Sequence, residues 1–327
     1  MKEGLRTSLM KKGIETLFAK TDISTSHIEE NVKNAPINGI LNLFKNKGMS
    51  SFDVVRKVKF IASEKKVGHT GTLDPQATGV LPVCIGKATK IIDYIMNSNK
   101  VYDVKFLLGT KTTTYDLEGE IVEKKETEHL TEGEVLEVIL SFIGEYDQVP
   151  PMYSALKKNG VRLYDLARQG IEVEREARRV KIFNISNIKL ELPYVYMKVA
   201  CSKGTYIRSL CYDIGEKLKV GAVMTELNRS ETSIFKQDNS VNIDNLTKEN
   251  INDYVITIEE ALSFYPKITV KSSFSKLLIN GVKVFDKRLT DEQREKGVLY
   301  RVYDSENTFI GIGKQDDEGF KIEKLLL

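Results

Sequence analysis

The residue best placed to do chemistry in this chain is an aspartate held in a stiff loop. Asp74 stands in the run Gly68-His69-Thr70-Gly71-Thr72-Leu73-Asp74-Pro75-Gln76-Ala77-Thr78-Gly79, which is built from turn-forming residues. Pro75 excludes Asp74 from helical backbone angles and so fixes the direction of its carboxylate. A single aimed carboxylate, if ionised, can act as a nucleophile or a general base. The plainer use of the same residues is a structural turn in which Asp74 caps neighbouring amides. A phosphate loop is excluded, because Gly86-Lys87 is followed by Ala88 and position 81 is leucine.

Arg208 is the cation that bears on this acid. It is either a surface charge or a guanidinium forked onto Asp74, holding the carboxylate ionised and aimed. Tyr102 is either a core aromatic at the end of a strand or a flat ring on which an extruded base stacks, a contact of about 1–3 kcal/mol. Lys157, Lys158, Arg162, Arg168, Arg175, Arg178 and Arg179 outnumber the acids among them, and Tyr153 and Tyr164 lie close by. That stretch is a solvated surface or a lining for a nucleic-acid backbone.

These residues need elements to hold them. Val80 to Ile85 reads as a short buried strand, and Lys87 to Met96 has helical spacing. Asn38 to Phe44 is a buried strand, and Ser50 or Ser51 caps a helix with Val54, Val55, Val58, Ile61 and Ala62 on one face. Val101 to Leu108 alternates, with Tyr102, Val104, Phe106 and Leu108 on one side. Thr131 and Glu134 form a capping box for a helix through Phe142. Lys181 to Leu192 and Tyr194 to Ala200 are paired strands. A turn over Cys201 to Thr205 opens the helix that carries Arg208, with Ile207, Leu210, Cys211 and Ile214 inward, and Val223 to Arg229 is a strand. A short helix at Ile258 to Leu262 ends before Tyr265-Pro266. Beyond it Val282 to Phe285, Val298 to Asp304, Phe309 to Lys314 and Phe320 to Leu325 read as short strands.

With 327 residues, 41% hydrophobic and 29% charged, the chain builds one large domain and a smaller one. No apolar run reaches the ~20 residues that span a bilayer, and Met1 to Lys20 lacks the apolar stretch of a secretory signal. Cys84, Cys201 and Cys211 lie in or beside apolar segments, which fits a reducing cytoplasm. His27, His69 and His129 are too scattered to make a zinc site, so no metal is expected. A net charge of +3 neither demands nor excludes nucleic acid, which would need positive charge gathered on one face. Met1 to Pro36 is a mixed-charge extension whose apolar residues allow a short helix around Lys12 to Lys20.

The string from Gly68 to Pro82 closely resembles the catalytic motif of the bacterial tRNA pseudouridine-55 synthases, the TruB family. Lys100-Val101-Tyr102 resembles that family's second motif, and Cys201-Ser202-Lys203-Gly204-Thr205-Tyr206-Ile207-Arg208 its third. The likeness covers about residues 38 to 235 strongly and the C-terminal part loosely. One departure stands at Asn46, where the family has proline after Lys45, so that turn loses a stiffening residue.

The resemblance implies an α+β fold: a mixed, mainly antiparallel sheet with flanking helices, a thumb insertion and a small C-terminal PUA-like β-barrel. By it, residues 1–37 are an extension, 38–264 the catalytic domain with the thumb at about 150–179, and 265–327 an RNA-binding domain. It implies isomerisation of uridine to pseudouridine at position 55, in the T-arm of tRNA, by base flipping. Asp74 is then the nucleophile or base and Arg208 its partner. Tyr102 stacks on the base, Tyr206 sits in the active site, Leu227 touches the base, and His69 works in the T-loop. Lys157, Lys158, Arg162, Arg168 and Arg178 hold the RNA backbone. Nothing is oxidised and no group is lost, so no cofactor is expected. The partner is tRNA, with no membrane and no obligate protein partner. Two other readings compete. A non-catalytic RNA-binding or tRNA-folding module would not need Asp74, and a glycosidase would need a second carboxylate that the Asp74 loop lacks.

Overall fold

The computed structural model of the chain describes residues 36–327, so the short helix expected around Lys12 to Lys20 lies outside the described residues. Strand β1 (Gly39–Lys45) is buried along nearly its whole length, as its apolar sequence requires. Ser50 closes a capping box with Asp53 and starts α1 (Ser51–Ala62), which buries Val54, Val55, Val58 and Ile61. The chain returns through β2 (Val67–His69) and the Asp74 loop into β3 (Thr78–Ile85), which is buried from Gly79 onward. A 3₁₀ turn over Gly86–Ile91 then leads into a short α2 (Ile92–Met96). The expected helix is interrupted because the Thr89 hydroxyl donates to the Gly86 carbonyl, 2.8 Å away, three residues back.

Strand β4 (Lys100–Leu108) alternates as expected, burying Tyr102, Val104, Phe106 and Leu108. A small hairpin follows, β5 (Thr110–Thr112) and β6 (Ile121–Lys124). Thr131 and Glu134 cap α3 (Glu132–Leu140), which leads to β7 (Gly144–Gln148). The basic insertion holds a two-residue hairpin, β8 (Lys157–Lys158) and β9 (Val161–Arg162), and α4 (Leu163–Arg168). Then come β10 (Arg178–Glu191), β11 (Tyr194–Cys201), α5 (Ile207–Lys217) and β12 (Ala222–Thr232). Short pieces β13 (Phe235–Lys236), β14 (Val241–Asn242) and β15 (Val255–Ile256) edge the sheet before α6 (Ile258–Ala261).

The main sheet runs β14-β1-β3-β12-β4-β11-β10-β7. It is antiparallel except where β1 meets β14 and where β3 meets β12. The second exception matters for the site. Its two pairs, Asn228↔Thr78 and Arg229↔Gly79, lay the exit of the Asp74 loop directly beside β12. Gly79 has φ +112, and a Cβ there would lie 2.3 Å from the Arg229 carbonyl oxygen, so only glycine lets the strands meet.

A second sheet, β16 (Lys267–Thr269), β17 (Leu299–Tyr303), β18 (Phe309–Asp316) and β19 (Gly319–Leu325), is ordered as numbered, with α7 (Ser272–Ile279) alongside. The strand expected at Val282 to Phe285 reduces to one bridge, Val284↔Phe320, and Phe285 is exposed. Strand β16 and α7 were not visible in the sequence, since three to eight residues show too little periodicity. Ile312 and Leu326 of this part share a core with Ile40, Val80, Ile91 and Ile95. Asn46 is held, despite the missing proline, by a reciprocal amide pair with Asn242 at 2.9 and 3.0 Å and a bond to Asp244. Among the described residues no helix is long and apolar enough to cross a membrane.

Candidate active site

The sequence positions Asp74 by pinning its neighbours. Ser51, buried at the start of α1, both donates to the Leu73 carbonyl (2.9 Å) and accepts from the Leu73 amide (2.8 Å). On the other side the Pro75 carbonyl accepts from the Gly48 amide (2.9 Å) and from Lys45 Nζ (3.1 Å). Lys45 is fully buried, and Nζ also donates to the carbonyls of Asn46 and Met49. Burial lowers its pKa to about 8, against the pull of the Asp74 charge. At the entrance to the loop, Arg229, 1% exposed, donates to Gly71 O and Val80 O at 3.0 and 2.8 Å. Asp74 therefore sits between two fixed residues on a loop tied to three strands.

Among the described residues the Asp74 carboxylate caps no neighbouring amide; its partner is Arg208. Arg208 Nε lies 3.0 Å from Asp74 Oδ2, with the arginine side chain 6% exposed and the aspartate 36%. The guanidinium does not fork onto Asp74 alone. Nη1 donates to Thr114 O (3.1 Å) and approaches Asp116 Oδ2 (3.4 Å), while Nη2 donates to Tyr153 O (2.8 Å). One buried cation thus ties together the Asp74 loop, the β5–β6 hairpin and the base of the insertion. Burial pushes the Asp74 pKa up, Arg208 opposes that, and the charges of Asp116 and Glu118 add to the rise. Without Arg208 the carboxylate would move toward its neutral form.

Tyr102 and Tyr206 join this group. Tyr102 lies on β4 opposite Arg229, and Tyr206 is the residue before α5, two positions ahead of Arg208. Burial raises both phenol pKa values, so both rings stay neutral, and both phenols feel the Asp74 charge. His69, on β2, is half-buried and lies toward Arg229. Its Nδ1 accepts from the Gly71 amide (3.2 Å), the local turn bond that a histidine there can make. Burial, then the Arg229 charge, lowers its pKa and favours the neutral imidazole. Leu227 pairs with Val104 and lines a groove of about 320 Å³ together with Lys47, Gln76, Thr78 and Asn228. Asp74 is not part of that groove, which adjoins its loop through Gln76 and Thr78.

The five cations of the insertion do not reach the carboxylate. Lys157, Lys158, Arg162, Arg168 and Arg178 are all exposed. Arg162 and Arg168 lie 5.7 and 5.5 Å from the centre of the Tyr164 ring, so one aromatic ring gathers two guanidinium groups. Sequence reasoning missed Asp116, Lys45 and Arg229. A lysine inside an apolar strand and an arginine beside Leu227 were the signals for the last two. Asp116 gave none, because it follows a threonine-rich turn that reads as a loop.

This geometry can be set beside known proteins. A family model described as "TruB family pseudouridylate synthase (N terminal domain)" matches residues 59–207. Two models of the C-terminal parts of the same proteins match residues 208–263 and 266–322. The chain belongs to the TruB family of pseudouridylate synthases. Similar relatives include the "tRNA pseudouridine synthase B" of Clostridium perfringens (strain 13 / Type A), 59% identical over 89% of this chain and 99% of that protein. The protein of that name from Clostridium tetani is 55% identical over 89% of this chain and 100% of that one. Among solved structures, a chain of the "Crystal Structure of a Cbf5-Nop10-Gar1 Complex" matches with a TM-score of 0.69 and 26% identity, over 92% of this chain and 87% of that one. The α+β architecture expected from the sequence is therefore the fold of the TruB family.

Proposed function

We propose that the Asp74 site isomerises uridine to pseudouridine at position 55, in the T-arm of tRNA. Uridine isomerisation in tRNA is the reaction that relatives 45–59% identical to this chain are named for. The observation that carries the residue assignment is the Arg208–Asp74 contact at 3.0 Å, with the Tyr102 and Tyr206 phenols near enough to feel the Asp74 charge. The reaction breaks the bond from C1′ to N1 of uracil, turns the base and joins C1′ to C5; C5 gives up its proton and the freed N1 takes one up. Its atoms balance without a cofactor. Asp74 acts as the ionised carboxylate, Arg208 keeps it so, and Tyr102 takes the unstacked base on its face. Tyr206 closes the other side, and Leu227 offers the base an apolar contact.

Flipping the uridine costs a few kcal/mol, and His69, in neutral form at the edge of the loop, fills the space it leaves. The exposed cations Lys157, Lys158, Arg162, Arg168 and Arg178 neutralise backbone phosphates as a thumb over about residues 150–179. Residues 38–264 then form the catalytic domain, and 265–327 a PUA-like RNA-binding domain. The work belongs in the cytoplasm, with tRNA as partner. Carbodiimide labelling of pseudouridine, read by reverse transcription, tests the position: one stop at position 55 supports it, and a stop elsewhere in the tRNA refutes it.

A further inference from the structure

We propose that Gln148 is a positioning residue for this site: its buried carboxamide clamps the Tyr206 peptide and so sets where α5 begins and where Arg208 stands. The proposal rests on the isomerase reading given above. Tyr206 joins the turn after β11 to α5. Its backbone is extended (φ −95, ψ 111), and no side chain caps the helix there from within. Such a residue has an amide that neither strand nor helix satisfies. Here it donates to Gln148 Oε1 at 2.8 Å. The Tyr206 carbonyl starts the helix by accepting from the Leu210 amide (3.0 Å), and it also accepts from Gln148 Nε2 (3.1 Å). One side-chain amide thus meets both polar groups of one residue, as a paired strand would.

The surroundings fix the carboxamide. Nε2 also donates to the Tyr146 hydroxyl, which lies toward Asp213 of α5. The Tyr206 carbonyl can only accept and the Tyr206 amide can only donate, so the flipped carboxamide would lose both bonds to that peptide. Gln148 is 2% exposed, so water does not compete for them. Two more bonds tie the first turn of α5 to the chain just after Gln148. Ser209 Oγ donates to Val149 O (2.8 Å), and Arg208 Nη2 donates to Tyr153 O (2.8 Å). Those two act through side chains; Gln148 alone among the three grips the helix backbone. Arg208, two residues on, reaches Asp74 from the position this clamp defines. Gln148 touches neither Asp74 nor the surface open to a substrate, so it acts through Arg208 and Tyr206.

The test is Gln148→Met, which keeps the shape and removes the clamp. Single-turnover isomerisation of a tRNA transcript should slow by about tenfold or more, since small misplacements of catalytic groups are that costly. Transcript affinity should stay near the wild-type value, and the protein should stay folded at the assay temperature with a lowered melting temperature, because the Tyr206 amide loses its partner. In an Arg208→Lys background the same substitution should add less than about threefold, because both changes act on one contact. A folded Gln148→Met protein at wild-type rate, or an equal loss in both backgrounds, would overturn the proposal. Should that variant not fold, Gln148→Glu keeps the acceptor for the Tyr206 amide but no donor, and full activity of it would overturn the proposal as well. If the wild type itself shows no isomerisation, the functional reading fails. A crystal structure of Gln148→Met then decides the positioning role: a displaced Arg208 supports it, and an unmoved one sinks it.

Discussion

Arg208→Lys separates a charge from a geometry. Lysine keeps the positive charge beside Asp74 but offers one nitrogen where the guanidinium uses three. In the native site those three reach Asp74 Oδ2, Thr114 O and Tyr153 O at 3.0, 3.1 and 2.8 Å. A single ammonium cannot span them, so at least one carbonyl loses its donor, at about 1–3 kcal/mol. If a loss of about 3 kcal/mol falls on the transition state, the rate drops about 10²-fold. The assay is single-turnover release of tritium from uracil C5 of an unmodified tRNA transcript, with transcript affinity measured alongside. Arg208→Gln removes the charge as well. Burial and the charges of Asp116 and Glu118 then act on Asp74 unopposed, so the acid limb of its pH–rate profile should move to higher pH. An Arg208→Lys protein with an unchanged rate would refute the reasoning, because the divided guanidinium would then be dispensable.

Three further outcomes follow from the same structure. Gly79→Ala drives a methyl group into the Arg229 backbone and should cost about 1–3 kcal/mol in chemical denaturation; an unchanged midpoint would contradict the close pairing of β3 and β12. Lys45→Met leaves the carbonyls of Asn46, Met49 and Pro75 without their donor. It should slow isomerisation with little effect on transcript affinity, and a full rate would show that the pin under Pro75 is unnecessary. Asp213 is pushed by burial from 3.8 to about 7. Its raised pKa means that the fold favours the protonated acid, a contribution complete below the unfolded value and lost as pH rises through about 7. Thermal melts should therefore show Asp213→Asn gaining on the wild type between about pH 5 and pH 8; parallel curves would contradict it.

Much of the fold was legible because burial leaves a period in the sequence. Strand β4 alternates, α1 carries one apolar stripe, and capping boxes at Ser50 and Thr131 mark two helix starts. The strand order was not legible. The parallel contact of β3 with β12 joins residues about 150 apart, and no local pattern announces it. Asp74 was legible because proline and glycine restrict the loop, and Arg208 because a motif of eight residues surrounds it. Asp116 and Gln148 were not, since their importance lies in one long-range contact each. The expected proline after Lys45 illustrates the limit from the other side. Its absence read as a looser turn, yet side-chain bonds from Asn242 and Asp244 hold Asn46 in place.

The most direct test of the account replaces one oxygen. Wild type and Asp74→Asn are given the same unmodified tRNA transcript tritiated at uracil C5, and both release and binding are measured. The account predicts release by the wild type, none by Asp74→Asn, and transcript binding by both. Release by Asp74→Asn at the wild-type rate would remove the carboxylate from the chemistry. Binding without release by either protein would leave an RNA-binding module in place of the enzyme.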